Sequence, residues 1–268
     1  MTQPSISKTP EVSMAGKLAF ITGASSGIGA ACAERFAAAG ARLLLAARRQ
    51  DRLREMAATL HAGGATHVHT VTLDVRDNQQ VLATLKALPE SWQAIDVLVN
   101  NAGLSRGLEK IHEGHTQDWD EMIDTNIKGL LYVTRAVVPG MIQRGYGHVV
   151  NLGSTAGHWA YPNGAVYCGT KAAEMRITEG MRQDLLGAPV RITTIDPGMV
   201  ETEFSKVRFH GDEARADKVY QGLTPLQPAD VADAVLWAVT RPAHVNIASI
   251  LMTSVDQANS VMFNRRTS

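Results

Sequence analysis

Cysteine is almost absent from the chain: two residues in 268, Cys32 and Cys168, both inside stretches of helical period. Two such residues make no spaced framework, so disulfides are not expected and a reducing compartment fits. An excess of one charge is also missing, because 26 basic and 26 acidic residues cancel. No window forms a basic run, which argues against nucleic acid and against a membrane surface as partners. Long apolar runs are lacking too. Nothing approaches the roughly 20 residues that cross a bilayer, and the opening MTQPSISKTPEVSM is polar with no apolar leader region. The expectation is a cytoplasmic protein with a small-molecule partner, preceded by a flexible tail over residues 1–15.

What is present is a 45% hydrophobic content, enough for one large core over residues 16–268. From residue 17 short β-rich runs alternate with helical-period stretches, the pattern of parallel strands joined by crossover helices. Strands are expected at 17–22, 42–46, 67–73, 95–100, 148–153, 191–195 and 249–253. Their nearly continuous apolar character requires helices on both faces, hence a doubly wound α/β sheet in a single domain. Helices are expected at 28–39, 50–61, 78–88, 118–144, 165–186 and 228–240, the fourth kinked or ended by Pro139-Gly140. The polar stretch 199–227 reads as a substrate lid.

TGASSGIG, residues 22–29, follows the first strand and opens the first helix. Gly23, Gly27 and Gly29, with Ser25, Ser26 and Ile28 between them, stand where backbone must approach a phosphate and where helix N–H groups attract it. The spacing is GxxxGxG, and by itself such a triplet can also be a structural turn. About twenty positions on, where a dinucleotide's ribose is read, the chain has Ala47-Arg48-Arg49. Arg48 and Arg49 point to the 2'-phosphate of NADP(H), which a guanidinium fork suits. A rival reading makes them solvated helix starters and gives Asp51 to NAD. Asp74-Val75 and Asn101-Ala102-Gly103 stand at the carboxyl ends of the third and fourth strands, at the ligand-binding edge of such sheets.

In YCGTK, Tyr167 and Lys171 lie one turn apart on one helix face, where an ammonium lowers the pKa of a phenol and suits it to proton transfer. Ser154 closes the fifth strand in LGSTAG; its hydroxyl is either a turn cap or a stabiliser of charge on a substrate oxygen. No GxSxG elbow surrounds it, which argues against a hydrolytic nucleophile. No metal site is expected. His158 and His210 lie nearest the presumed cleft and read as shape or surface residues.

TGASSGIG, NNAG, Asn126 in DTNIKG, Ser154, YCGTK and DPGMVET, in this order, resemble the short-chain dehydrogenase/reductase family over residues 16 to about 255. The resemblance implies a Rossmann-type fold of seven strands and a catalytic tetrad. In it Tyr167 is the general acid/base, Lys171 lowers its pKa and holds the nicotinamide ribose, Ser154 orients the carbonyl, and Asn126 maintains a water relay. It further implies cofactor contacts at Pro197, Gly198, Val200 and Thr202, and a homotetramer formed through the helices near 118–144 and 165–186. LAARRQDRL, NNAGLSRGLEK, GSTAGHWAYPNG and PAHVNI look like the NADP-dependent serine and 3-hydroxy acid dehydrogenases of the L-allo-threonine type. Sulfoacetaldehyde reductases are similar too. MVETEF in the lid and the longer N-terminal tail depart from that subgroup. An anionic substrate would need a cation near the nicotinamide, for which Arg208 and Lys206 are the candidates; the alternative pairs them with Glu201 or Glu203. A broader ketone or 3-oxoacyl reductase is the rival enzyme, and a binding protein without catalysis is the third reading.

Overall fold

The computed structural model describes residues 12–266. Seven strands lie parallel in one sheet: β1 Leu18–Thr22, β2 Arg42–Ala47, β3 Val68–Thr72, β4 Val97–Asn100, β5 Gly147–Leu152, β6 Val190–Pro197 and β7 Ser249–Met252. Their order, β3-β2-β1-β4-β5-β6-β7, reverses direction between β1 and β4, the switch point at which open parallel sheets bind ligands. The helices are α1 Gly27–Ala38, α2 Gln50–Ala62, α3 Asn78–Lys86, α4 Thr116–Ile123, α5 Leu130–Arg144, α6 Ala165–Asp184, α7 Phe204–Arg208, α8 Glu213–Tyr220 and α9 Pro228–Val239.

Alternation along each strand divides the core into two. Ala19, Ile21, Leu43, Leu45, Val97 and Val99 pack with Phe36 of α1 and Val231 and Val235 of α9. Their neighbours Leu18, Phe20, Leu44 and Leu98 pack with Val133, Val137 and Met141 of α5. Both faces of the central strands are therefore covered, as their apolar sequences require. The outer strands are not: β7 alternates exposed and half-buried residues, because a sheet edge has a neighbour on one side only.

Three expectations change. The helix expected over 118–144 consists of α4, a π-helical turn Asp124–Gly129 and α5. Pro139 does not end it: α5 continues to Arg144, where Gly145 closes it at φ 72. Pro139 and Arg135 are both exposed, so the carbonyl that loses its helical partner faces water. Within the expected tail, Met14 is 2% exposed in the cluster of Phe36 and Val239, and the Val12 N–H donates to the Thr240 carbonyl at 2.8 Å. Residues 1–11 of that tail lie outside the described residues. The expected lid, 199–227, is built from α7 and α8, the latter capped by the Asp212 side chain accepting from the Arg215 N–H at 3.0 Å.

Candidate active site

Past β1 the chain turns on Gly23 (φ 65) and Gly27 (φ 54), conformations that only glycine adopts without cost. A Cβ on Gly23 would come within 2.8 Å of Asn101 Nδ2, and one on Gly29 would collide with the same atom and with the Gly23 carbonyl. Asn101 fills that space for a reason. Its amide donates to the Thr22 and Gly23 carbonyls at 2.9 and 3.1 Å, while Thr22 Oγ1 accepts from the Asn101 and Ala102 N–H groups at 3.1 Å each. The ends of β1 and β4 are thereby clamped together. Gly23, Ser25, Ser26, Gly27 and Ile28 line a cavity of about 640 Å³; Gly29 sits behind its wall, where the clamp needs room. The first N–H groups of α1 face this cavity from the helix end at which a dipole favours an anion.

One end of the cavity is cationic. Arg48, Arg49 and Arg52 line it together with two carboxylates, Glu203 and Asp74. Arg49 donates to Ser25 Oγ and Ser26 Oγ (3.1 and 2.7 Å) and to Glu203 at 3.1 Å, and Arg52 meets the same carboxylate at 2.6 Å. Hydrogen bonds from Arg52, outweighing Glu203's partial burial, hold that carboxyl below its usual range. Asp74 is balanced by Arg76, so three guanidinium groups against the Glu203 carboxylate leave the corner positive. Asp51 takes no part: its side chain is 93% exposed and faces Arg54 at 3.6 Å. Asp74 and Val75 line the same region. Burial opposes the charged form of Asp74, but the Arg76 fork at 2.6–3.0 Å prevails and holds the carboxyl below its ordinary value.

At the other end are Ser154, Tyr167 and Lys171, with Asn101, Ala102, Gly103, Pro197, Gly198, Val200 and Thr202 along the walls. Ser154 caps a 3-10 turn, its Oγ accepting from the Ala156 N–H at 3.1 Å, which leaves its own proton free to point elsewhere. Lys171 is buried and donates to the Leu152 carbonyl at 2.6 Å and to Glu174 at 2.8 Å. Burial alone would lower Lys171, yet the charges at Glu174 and Tyr167 hold it above its ordinary value. Glu174 is itself pushed up to about 7 by burial, against the pull of Lys171. Glu174 was not singled out from the sequence. The available signal was an acid three residues past Lys171, on the same helix face.

Asn126 lies outside the cavity lining, in the π turn. Its Oδ1 accepts from the Leu104 N–H at 2.9 Å, and its Nδ2 donates to the Leu104 carbonyl and Thr170 Oγ1 at 2.9 and 3.0 Å. It straps the segment after β4 to α6.

Arg208 also stands behind the wall rather than in it. Its guanidinium donates to Ser105 Oγ and the Tyr161 hydroxyl at 2.9 and 2.7 Å and lies 5.2 Å from the Tyr167 ring centroid. No ion pair to Glu201 or Glu203 forms; among the described residues Arg208 has no carboxylate partner, whereas Lys206 is held by Glu213 at 2.7 Å. The lid is tied down by Arg106, which hydrogen-bonds the Val207 carbonyl, and by the Gly107 N–H, which donates to the Arg208 carbonyl at 3.0 Å. His158 lies 3.0 Å from Asp196, and His210, which lines the cavity, lies 3.3 Å from Asp118.

Residues 17–213 match the family model described as short chain dehydrogenase. The chain is 46% identical over 242 residues to the NADP-dependent 3-hydroxy acid dehydrogenase YdfG of Escherichia coli K12, covering 90% of this chain and 96% of that one. It is equally identical, at 46%, to sulfoacetaldehyde reductase 2 of Chromohalobacter salexigens over 90% and 95% of the two chains. Among solved structures, the closed form of a serine dehydrogenase complexed with NADP+ superposes with a TM-score of 0.88 at 45% identity, over 93% of this chain and all of that one.

Gly29→Ala is expected to break the Thr22–Asn101 clamp, since neither the amide nor the carbonyl behind it can yield without losing a hydrogen bond. The cost should be about 1–3 kcal/mol in urea unfolding; an unchanged midpoint would show that the turn moves freely.

Proposed function

The chain belongs to the short-chain dehydrogenase family, and from that premise we propose that it is an NADP-dependent oxidoreductase of small anionic 3-hydroxy acids, interconverting their 3-hydroxyl and 3-oxo groups. The observation that carries this reading is one cavity with a triple-arginine corner at one end and Ser154, Tyr167 and Lys171 at the other. The residues fit the cofactor. A glycine turn without Cβ atoms and the start of α1 would hold the pyrophosphate, and Arg48 and Arg49 the 2'-phosphate. Bound there, NADP(H) supplies the hydride that the substrate carbon gains or loses.

The protein's own part is proton transfer and positioning. Tyr167 exchanges a proton with the substrate oxygen, and the Lys171 ammonium one turn away stabilises the phenolate form. Ser154 donates to the same oxygen, its lone pair being already engaged by Ala156. Asn126 keeps α6 in register with the segment Gly103–Leu104, and so keeps Tyr167 and Lys171 in place. For the substrate's acid group we assign Arg208, whose charge acts from behind the cavity wall: it stands beside Tyr167 and no carboxylate among the described residues claims it. A sulfonate would meet the same guanidinium, which keeps sulfoacetaldehyde reduction as the second reading, favoured by the relative at equal identity.

We further infer a cytoplasmic homotetramer built on α4–α5 and α6. No helix among the described residues is long and apolar enough to cross a membrane. Ile123, Leu131 and Ile142 are 37–42% exposed, and Leu186, just past α6, is 89% exposed. Surfaces of that kind pair between copies.

Three outcomes follow. Nicotinamide absorbance should rise with NADP+ and one of L-serine, L-allo-threonine, 3-hydroxypropionate, 3-hydroxyisobutyrate or isethionate, weakly with NAD+, and not at all in Tyr167→Phe; turnover confined to neutral alcohols would remove the acid assignment. Arg208→Ala should raise KM for the acid substrate by about tenfold while leaving a neutral ketone nearly unaffected, and equal changes for both would discard Arg208 as the anion site. Light scattering on the purified protein should give the mass of four chains; a monomer would refute the assembly.

A further inference from the structure

Glu174 has no part in the reaction as described, yet it touches that reaction's lysine. It is 2% exposed and lies one turn beyond Lys171 on α6, its Oε2 2.8 Å from Nζ. The other protein acceptor on that ammonium, the Leu152 carbonyl, is neutral. Glu174 brings a full charge into a buried site, where a charge is weakly screened. An ammonium acidifies a nearby phenol through its field, and a carboxylate in contact with the ammonium cancels much of that field.

We propose that Glu174 is a positioning residue of the Tyr167–Lys171 pair, its buried carboxylate sharing the ammonium and so setting how strongly Lys171 draws the proton from Tyr167. This rests on the reading of Tyr167 and Lys171 as the reacting pair. While Glu174 is ionised, Lys171 and Glu174 are neutral as a unit and Tyr167 keeps its proton more firmly, ready to give it to a carbonyl oxygen. When Glu174 takes up a proton, the lysine's charge is uncompensated and Tyr167 ionises more readily, ready to accept one from a hydroxyl. The three groups titrate as one system.

The surroundings place that exchange near neutrality. On α6 the charged group facing Glu174 is Lys171, which itself lies in the field of Tyr167. From β6 comes Asp196, fully buried, which accepts from Thr194 Oγ1 at 2.7 Å and Ser249 Oγ at 3.0 Å and stands 3.0 Å from His158 Nε2 of the turn after β5. From the π turn Asn126, uncharged, reaches α6 at Thr170 Oγ1. Burial raises Glu174, Lys171 pulls it back, Asp196 adds to the rise, and the result is about 7.

The test is the ultraviolet titration of Tyr167 in the cofactor-free protein, taken as the tyrosinate absorbance of each form minus that of its Tyr167→Phe counterpart. Glu174→Gln keeps the shape and an acceptor for Lys171 but removes the charge. The Tyr167 midpoint should fall by about one pH unit or more, and the acid limb of kcat/KM for oxidation should move with it, raising the rate there about tenfold. A folded Glu174→Gln protein with an unmoved midpoint, alongside an inactive Tyr167→Phe, overturns this inference and leaves the assignment of Tyr167 standing. Turnover retained in Tyr167→Phe overturns that assignment instead. Should Glu174→Gln not fold, Glu174→Met, apolar and of similar length, reads the same removal of charge with the same two outcomes.

Discussion

The site depends on a join between two strand ends. A parallel sheet whose order reverses leaves a crevice between the strands on either side of the reversal, here β1 and β4. Nothing in the ladder itself holds the two loops that leave those strands at a fixed spacing. Thr22 and Asn101 do so with four hydrogen bonds, two from backbone N–H groups to a hydroxyl and two from an amide to carbonyls. The glycines of the first loop follow from this arrangement as much as from any ligand, because the amide occupies the volume their Cβ atoms would need.

From that join the cavity extends toward two different electrostatic environments. The arginine corner is open to solvent, so its charges are screened and exchangeable, and Glu203 serves there as a resident anion for Arg49 and Arg52. The lysine end is buried. Lys171 and Glu174 are both buried, and their pairing is supported beneath by polar contacts: Thr178 Oγ1 donates to the Glu174 carbonyl and accepts from Asn151, which in turn accepts from Asn100. A charge is easily displaced in the first environment and firmly held in the second.

The sheet was legible in the sequence because each strand carries its own signal, a short apolar run bounded by turn residues. All seven strands lie where periodicity places them, to within a few residues. The residues lining the cavity were legible for a different reason: the glycine turn and Tyr167–Lys171 are local spacings. What escaped the sequence is long-range or compensated. Glu203 reaches Arg49 across 154 positions, and no window of sequence joins them. Pro139 breaks a local rule, but the exposure of its turn removes the penalty. The short helices of the lid carry too few residues to announce themselves, since helices of that length form only through packing.

The π turn at Asp124–Gly129 works as a phase shifter. An α-helix advances about 100° per residue, so one residue accommodated in a wider turn lets α4 and α5 follow one line with their apolar stripes out of step. That offset is used: Met122 before the turn packs in the small cluster with Tyr167, while Val133 and Val137 after it pack in the large core beneath the sheet. Asn126, at the offset itself, points at neither stripe and is left to strap Leu104 to Thr170. A strictly regular helix would have to choose between covering the sheet and covering the catalytic helix; the extra residue lets a single rod do both.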